Sequence, residues 1–306
     1  MTSNPFFSIV IPAYNRAHMI GHTIGSVLKQ TYTDWELVIV DDGSKDDTKE
    51  VVLAYNEPRI KYIYQTNAER SAARNNGIKN STGKYITFVD SDDYYLPRRL
   101  EMLHSSIKEK GEPVALFYTD IAFDKHGVFT DKFAGDNKGL NIHDFIATAV
   151  LGNPQMCAHR DVFLKHQFNP KFRIGEDMEL LHRMLDEYPA IYLPNQLTVV
   201  AGDHDDRSVN EKKYNSFAEH KQTLDFVFAP THPGSKTNAE LKANKYCDCY
   251  FGIARYHIYN KQRGSAVYWL LKSIMAKPGH PQTKYKLNLI RHVLLNPAQA
   301  IKLLQG

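Results

Sequence analysis

The feature that most constrains the fold is the alternation of short apolar runs with helical segments in the first third of the chain. Four runs, residues 8–12, 36–40, 60–64 and 84–89, have the length and composition of strands, and 36–40 and 84–89 are predicted to be buried. The segments between them have the residue spacing or the composition of helices. Strands that alternate with helices predict a parallel sheet with helices on both faces.

The rest of the chain is less regular. Residues 114–118 and 190–193 are predicted strands, and the stretch 124–141 between them is rich in loop-forming residues. The pattern then becomes mostly helical. We therefore expect a doubly wound α/β domain with a mainly parallel sheet over residues 1–210, followed by a helical C-terminal extension over residues 211–306.

Three carboxylates follow the fourth predicted strand, at Asp90, Asp92 and Asp93. Carboxylates this close together repel one another, and a fold keeps such a cluster most readily when a bound cation neutralises it. Open α/β sheets also bind their ligands at the carboxyl ends of the strands. The cluster therefore predicts a divalent metal that holds a phosphorylated substrate.

Polar residues also follow the first two predicted strands. Tyr14 and Asn15 come after the first strand, and Asp41 and Asp42 come after the second. Because the carboxyl ends of parallel strands meet at one edge of a sheet, these residues and the carboxylate cluster are predicted to line one crevice. Asn15 and Ser44 are further predicted to cap the helices that follow the two strands.

Composition narrows the functional classes. Hydrophobic residues make up 42% of the chain and charged residues 24%, as in soluble globular proteins. The net charge of +4 is too small to indicate a nucleic-acid partner, and no apolar run approaches the ~20 residues that span a bilayer. Residues 1–7 lack the pattern of a signal peptide, and Cys157, Cys247 and Cys249 make no disulfide framework. We therefore expect a cytoplasmic protein.

Several short motifs occur in an order that is specific to one family. They comprise residues 11–15, 36–44, 46–48, Asn67, 72–78, 83–85, 90–93 and 176–177. Together they resemble the inverting family 2 glycosyltransferases, which have the GT-A fold and bind nucleotide sugars. The resemblance implies a nucleotide-sugar-binding half over residues 1–93 and an acceptor-binding half over residues 94–210.

The resemblance implies a role for each polar residue of the crevice. Asp42 would accept the imide N–H of uracil, and Arg70 would lie beside the base. Asp90 would bond the ribose hydroxyls, and Asp92 would ligate the Mg²⁺ or Mn²⁺ that bridges the two phosphates. The nucleotide-sugar pocket as a whole is assigned to Pro12, Ala13, Tyr14, Asn15, Asp42, Arg70, Arg74, Asp90 and Ser91. Arg74 has a second interpretation, in which it only fixes its helix by packing and hydrogen bonding.

The resemblance also assigns the catalytic groups. Asp177 would be the general base that deprotonates the acceptor hydroxyl, and Glu176 would orient the acceptor. Asp177 lies at the start of a predicted helix, whose dipole should keep its carboxylate ionised at neutral pH. His204 would be a further metal or phosphate contact. Many family members have Gly at the position of Glu69, and a Glu there changes the charge near the base or sugar pocket.

These expectations describe a metal-dependent inverting glycosyltransferase that moves a sugar, preferably from a UDP-sugar, to an acceptor hydroxyl in polysaccharide or glycolipid assembly. Two alternatives stay open. One is a module that keeps the fold and binds a nucleotide sugar without turnover. The other is a phosphatase of the haloacid dehalogenase type, which also places Asp-x-Asp after a strand. The phosphatase fits poorly, because its nucleophile lies on the first strand and three predicted strands precede Asp92.

The C-terminal residues 284–304 combine apolar positions with Lys284, Lys286, Arg291 and Lys302. A basic amphipathic helix of this kind can lie on an anionic membrane surface. It can equally pack on the catalytic domain with its cations in water. The expected partners are a nucleotide-sugar donor and a saccharide or lipid-linked acceptor, with peripheral contact at the inner face of the membrane as one of the two alternatives for these helices.

Overall fold

The computed structural model describes residues 4–125, 127–149, 151–201 and 215–305. These residues form two compact units, one that ends at residue 201 and one that begins at residue 215. The first unit is an α/β structure built on a single sheet, and the second is helical.

The sheet of the first unit has nine strands among the described residues. Their bounds are β1 Phe7–Ala13, β2 Trp35–Asp41, β3 Ile60–Tyr64, β4 Tyr85–Phe88, β5 Tyr94–Tyr95, β6 Leu116–Lys125, β7 Val128–Lys132, β8 Met156–His159 and β9 Ala190–Ala201. Hydrogen bonding follows the order β3-β2-β1-β4-β8-β6-β9-β5, and β7 pairs with the C-terminal half of β6. Strands β1 to β4, β6 and β9 run in one direction, while β5, β7 and β8 run against them.

Seven α-helices accompany this sheet within the described ranges. Their bounds are α1 Ile20–Leu28, α2 Thr48–Leu53, α3 Glu69–Asn80, α4 Arg99–Glu109, α5 Ile142–Thr148, α6 Arg160–Lys165 and α7 Glu176–Met184. Every residue of β1 and β2 is buried, as expected for central strands covered on both faces. The main core packs Ile9 and Leu37 of these strands against Ile24 of α1 and Leu103 of α4.

Helix α3 approaches β1 very closely at one glycine. A Cβ atom built on Gly77 would lie 2.3 Å from Cγ1 of Val10, a distance that side chains do not tolerate. The absence of a side chain at Gly77 therefore lets α3 lie directly on the strand. This contact sets the position of Arg70 and Arg74, which lie on the preceding turns of the same helix.

The second unit contains five α-helices among its described residues. They are α8 Ser216–Val227, α9 Ala239–Tyr259, α10 Arg263–Ala276, α11 Thr283–Leu295 and α12 Pro297–Gln305. Ala254, Leu270, Leu289 and Ala300, from four successive helices, share one buried cluster. No helix in the described part of the chain is long and apolar enough to cross a membrane.

The fold confirms the predicted class, an α/β unit with a mainly parallel sheet and a helical C-terminal extension. All four strands expected in the first third are present, and α7 begins at Glu176 as predicted. The mixed half of the sheet was not predicted. Strand β8 lies antiparallel between β4 and β6, and β7 falls in the stretch that the sequence assigned to loops.

Both helix caps were predicted wrongly. Helix α1 begins only at Ile20 and α2 only at Thr48, several residues after the polar positions expected to cap them. Asn15 Oδ1 instead accepts the backbone N–H of Lys45 at 2.8 Å, and Ser44 Oγ accepts the backbone N–H of Asn15 at 2.9 Å. These side chains therefore join the loop after β1 to the loop after β2.

Candidate active site

The loop after β1 forms one edge of the crevice. Pro12 and Ala13 are the last residues of β1, and their buried side chains can only shape a pocket from beneath. Tyr14, the next residue, is 43% exposed. Asn15 has a φ of +52° and is bonded to the loop after β2, which fixes where Tyr14 lies.

Asp41 and Asp42 are both buried where β2 ends. Asp41 Oδ2 accepts the hydroxyl of Tyr62 at 2.7 Å, so this carboxylate supports the strand end. Asp42 Oδ1 accepts hydrogen bonds from the side-chain amide of Gln65 at 2.6 Å and from the backbone N–H of Ala68 at 2.9 Å. The orientation of the Asp42 carboxylate is therefore fixed by the loop that follows β3.

A buried arginine joins the end of β4 to the start of α7. The Arg74 side chain is 1% exposed, and it donates through Nη2 to Asp90 Oδ1 at 2.7 Å and through Nη1 to Glu176 Oε1 at 3.0 Å. Burial alone would lower the pKa of Arg74, but the charges of Asp90 and Glu176 outweigh it and raise the pKa. The guanidinium therefore stays charged and links two residues of the predicted site.

Arg70 lies one turn earlier on α3, beside the same carboxylate. Its Nε is 3.7 Å from Glu176 Oε1, and its Nη2 donates to the carbonyl of Arg173 at 2.8 Å. Its side chain is 30% exposed, in contrast to the buried Arg74. The neighbouring Glu69 has a φ of +72°, a conformation that glycine adopts without strain, and it forms an ion pair with Arg173 at 3.3 Å.

Asp177 is the second residue of α7 and directly follows Glu176. Gly175, with a φ of +80°, makes the turn into this helix, and Asp177 Oδ1 accepts the backbone N–H of Met178 at 2.8 Å. Burial, and then the charge of Glu176, raise the pKa of Asp177 to about 6, against smaller opposing effects of the Met178 N–H and the nearby arginines. Asp177 is still mostly ionised at pH 7, as expected. Its pKa is nevertheless raised, because burial has a larger effect than the N–H groups at the start of α7.

The turn after β4 also holds carboxylates that support the structure. Asp93 is buried, and its Oδ1 accepts the backbone N–H of Ala201 at 3.0 Å. The backbone carbonyl of Asp93 accepts the hydroxyl of Thr23 at 2.7 Å. Asp93 therefore connects this turn to the end of β9 and to helix α1 by hydrogen bonds. Ser91, which the resemblance assigned to the donor pocket, is buried within the same turn.

Asp92 is the residue to which the resemblance assigns a metal. Its side chain is 20% exposed, and its Oδ2 lies 4.0 Å from Nη2 of Arg16. Mg²⁺ and Mn²⁺ prefer oxygen ligands, and Mg²⁺ is commonly held by one or two carboxylates together with substrate phosphates. A partly exposed carboxylate at the carboxyl end of β4 fits that pattern. His204, the second assigned ligand, lies outside the described residues.

A different group brings three possible metal ligands together. Within the described ranges, only Cys247, Asp248 and His280 place three ligand atoms within 4.8 Å of one another. They belong to the helical unit, and the buried sulfur of Cys247 accepts a hydrogen bond from Nζ of Lys286 at 3.1 Å. An ammonium group at that distance opposes a metal cation, so we assign no metal to this group.

The segment that contains Gly152 and Asn153 carried no recognisable motif, and its glycine lies beside Asp177. A Cβ atom built on Gly152 would lie 3.4 Å from Asp177 Oδ2, so this glycine faces the carboxylate. The next residue, Asn153, is 3% exposed, and its Oδ1 has no hydrogen-bond partner among the described residues. Gln155 fastens the turn, since its Oε1 accepts the N–H of Gly152 at 2.8 Å. Only the Gly-Asn-Pro order, a general turn signal, marked this segment in the sequence.

A family model matches the first half of this chain. The model of glycosyl transferase family 2 matches residues 8–160, half of the 306-residue chain. The UDP-Glc:alpha-D-GlcNAc-diphosphoundecaprenol beta-1,3-glucosyltransferase WfgD of Escherichia coli is 37% identical over 132 residues, which are 43% of this chain and 51% of the relative. The chain thus spans about half the length of this curated relative.

Solved structures match most of the chain at low identity. TarS 1–349 of S. aureus in complex with UDP-GlcNAc has a TM-score of 0.61 and 18% identity, over 96% of this chain and 89% of the other. The mannosyltransferase PcManGT of Pyrobaculum calidifontis in complex with GDP-Man and Mn²⁺ has a TM-score of 0.57 and 17% identity, over 98% and 88%. These likenesses show the fold, which is the GT-A architecture. Since the family model covers half of its residues, the chain belongs to glycosyl transferase family 2.

Proposed function

We propose that this protein transfers a sugar from a UDP-sugar to an acceptor hydroxyl, with inversion at the anomeric carbon and with Mg²⁺ or Mn²⁺ as cofactor. The observation that carries the proposal is the position of Arg74, which joins Asp90 on the donor side of the crevice to Glu176 beside Asp177. A direct displacement needs the donor and a base held at fixed positions next to each other. The buried guanidinium supplies that connection.

Donor binding is assigned to the carboxyl ends of β2 and β4. Asp42 is held at Oδ1 by two hydrogen bonds, so its Oδ2 can accept the imide N–H of uracil. Asp90, 31% exposed and oriented by Arg74, can accept the ribose hydroxyls. Arg70 can stack on the base or donate to its carbonyl oxygen. The complex of TarS with UDP-GlcNAc, which has the same fold, supports a uridine nucleotide.

Asp177 is assigned as the general base. Its carboxylate takes the proton of the acceptor hydroxyl while the hydroxyl oxygen attacks the anomeric carbon, and the bond from that carbon to the diphosphate breaks. Attack from the face opposite the leaving group inverts the anomeric configuration. A pKa of about 6 suits this step, because the carboxylate is mostly ionised at pH 7 and is more basic than an ordinary aspartate. Glu176, held by Arg74, orients the acceptor.

Asp92 is assigned to the metal. A bound Mg²⁺ or Mn²⁺ would offset the negative charge that develops on the diphosphate leaving group. Arg16, 4.0 Å from Asp92, adds a protein cation on the same side. The complex of PcManGT with GDP-Man and Mn²⁺ supports this assignment for the fold.

Thermal unfolding with UDP-, GDP- and dTDP-sugars in the presence of Mn²⁺ tests the donor, since a bound donor raises the apparent melting temperature. We expect the largest shift with a UDP-sugar and its loss in Asp42→Ala.

The anomeric configuration of the product, measured by NMR, tests inversion. The absence of a shift with every sugar nucleotide would refute the proposal. A shift without turnover on a broad acceptor panel would indicate a binding module.

The acceptor is assigned to the saccharides and lipid-linked glycans of polysaccharide or glycolipid assembly, at the inner face of a membrane. The support is the E. coli relative, whose name specifies a GlcNAc-diphosphoundecaprenol acceptor. Turnover measured with a GlcNAc-diphospholipid and with free GlcNAc tests this point. Equal turnover on the two acceptors would contradict a lipid-linked substrate.

A further inference from the structure

The two ends of the chain differ strongly in charge. All 34 acidic residues precede Cys249. Nine cationic residues follow it, at Arg255, Lys261, Arg263, Lys272, Lys277, Lys284, Lys286, Arg291 and Lys302. Because the whole chain carries a net charge of +4, residues 249–306 carry +9 and residues 1–248 carry −5. The last part of the chain is therefore a cationic region without a single carboxylate side chain.

Two of these cations are exposed and have no acidic partner among the described residues. Lys284 and Arg291 are both exposed on α11, and among the described residues no ion pair joins either of them to a carboxylate. Lys277, in contrast, pairs with Glu240 at 2.6 Å, and Lys286 is buried. The exposed pair on α11 is thus available to an external anion.

The same helices expose large apolar side chains. On α10, Tyr268, Leu271 and Met275 recur at helical spacing and are 52%, 46% and 72% exposed. On α11, Lys284, Leu287, Arg291, Leu294 and Leu295 are all exposed, and we call these five residues the α11 face. At 100° per residue these five positions fall within about 100° of arc. Its three leucines are 52%, 54% and 76% exposed. Cations and leucines therefore share one stripe.

The exposed cations and the exposed apolar side chains of α10 and α11 together indicate the kind of partner that this surface binds. A soluble anionic polymer would bind the cations but leave the leucines in water. An apolar protein surface would cover the leucines but leave the cations without counter-charges. An anionic bilayer satisfies both, because its headgroups meet the cations and its acyl boundary accepts the leucines. We propose that the α11 face, together with the exposed stripe of α10, binds the surface of an anionic membrane.

This assignment is independent of glycosyl transfer, because it uses only the charge and the exposure of the helical unit. Flotation of the full chain with vesicles of phosphatidylcholine, with and without phosphatidylglycerol, tests it. We expect binding only when phosphatidylglycerol is present, and weaker binding at high salt. Lys284→Glu combined with Arg291→Glu should lower vesicle affinity at least about tenfold. Leu287→Gln combined with Leu294→Gln should also lower it.

Lys79→Glu combined with Lys110→Glu is the matched control, because it changes the net charge equally at exposed positions of the α/β unit. This control should bind vesicles like the unmodified chain, and an equal loss would show that net charge alone drives binding. All substituted side chains are exposed, so the unfolding midpoints should not change. Full vesicle binding by the leucine variant, with equally tight binding of polyphosphate, would indicate an anionic polymer and overturn the proposal.

Discussion

At the scale of single residues, Arg74 is a buried cation with two carboxylate partners, and such a group is costly to remove. Its loss leaves Glu176, which is 5% exposed, without its closest counter-charge. Breaking a buried ion pair from one side typically costs about 3–5 kcal/mol. We expect Arg74→Met to lower the free energy of unfolding by about 3 kcal/mol or more, measured by urea denaturation. Arg70→Met, at a more exposed position with a 3.7 Å contact, should cost less than ~1 kcal/mol.

The pKa of Asp177 determines the expected pH dependence. If Asp177 is the base, kcat/KM should fall about tenfold per pH unit below its pKa of about 6 and reach a plateau above pH 7. Glu176→Gln removes a charge that raises this pKa, so the acid limb should move to lower pH. Arg74→Met removes a charge that lowers it, so the limb should move to higher pH. If the acid limb of the kcat/KM profile lies at the same pH in both variants, Asp177 is not the general base.

The same raised pKa predicts a stability effect. The pKa of Asp177 is higher in the folded than in the unfolded chain, so ionisation of this group disfavours the folded state. The cost is absent below about pH 4 and grows as the pH rises through 6. Asp177→Asn should therefore raise the melting temperature at pH 8 and abolish transfer. A melting temperature at pH 8 equal to that of the unmodified protein would contradict an energetic cost of ionising the half-buried Asp177 carboxylate.

At the scale of elements, the contact of α3 with β1 determines where the two arginines of the crevice lie. Gly77→Ala would place a methyl group 2.3 Å from Val10 Cγ1, so the helix would have to move away from the strand. We expect a loss of about 1–3 kcal/mol in the free energy of unfolding and a smaller thermal shift with UDP. Gly25→Ala in α1 is the control, because no described atom outside the adjacent residues and backbone of its own helix lies within 4 Å of the added methyl. It should raise stability by up to ~1 kcal/mol.

Element order also shows which part of the sheet was predictable. Strands β1, β2 and β4 are buried apolar runs, β3 is partly exposed, and helices separate all four, a local pattern that indicates parallel strands. Strand β8 is only four residues long, and its place depends on pairing with both β4 and β6. The turn before it contains Gly152, which faces Asp177. Short strands with distant partners carry little signal in their own residues.

At the scale of the whole molecule, the described residues of the crevice all lie before residue 202, and the cationic region follows Cys249. We propose that residues 1–210 are the catalytic domain and residues 211–306 a separate membrane-binding region. A chain that ends at residue 210 should keep the thermal shift with UDP and lose vesicle binding. If this shorter chain shows native circular dichroism but no shift with UDP, the helical unit supports the donor site and the division is wrong.

The sequence by itself determined the family, the parallel strands and the start of α7, because motif order and hydrophobic periodicity are properties of neighbouring residues. Only the tertiary structure decided which residues face one another. Arg74 meets Asp90 and Glu176, which lie 16 and 102 positions away, and Asp93 fastens Ala201 across 108 positions. The pattern within one segment does not specify the distant segment that packs against it. The pKa of Asp177 depends on the same packing, because burial and neighbouring charges arise only when those segments come together.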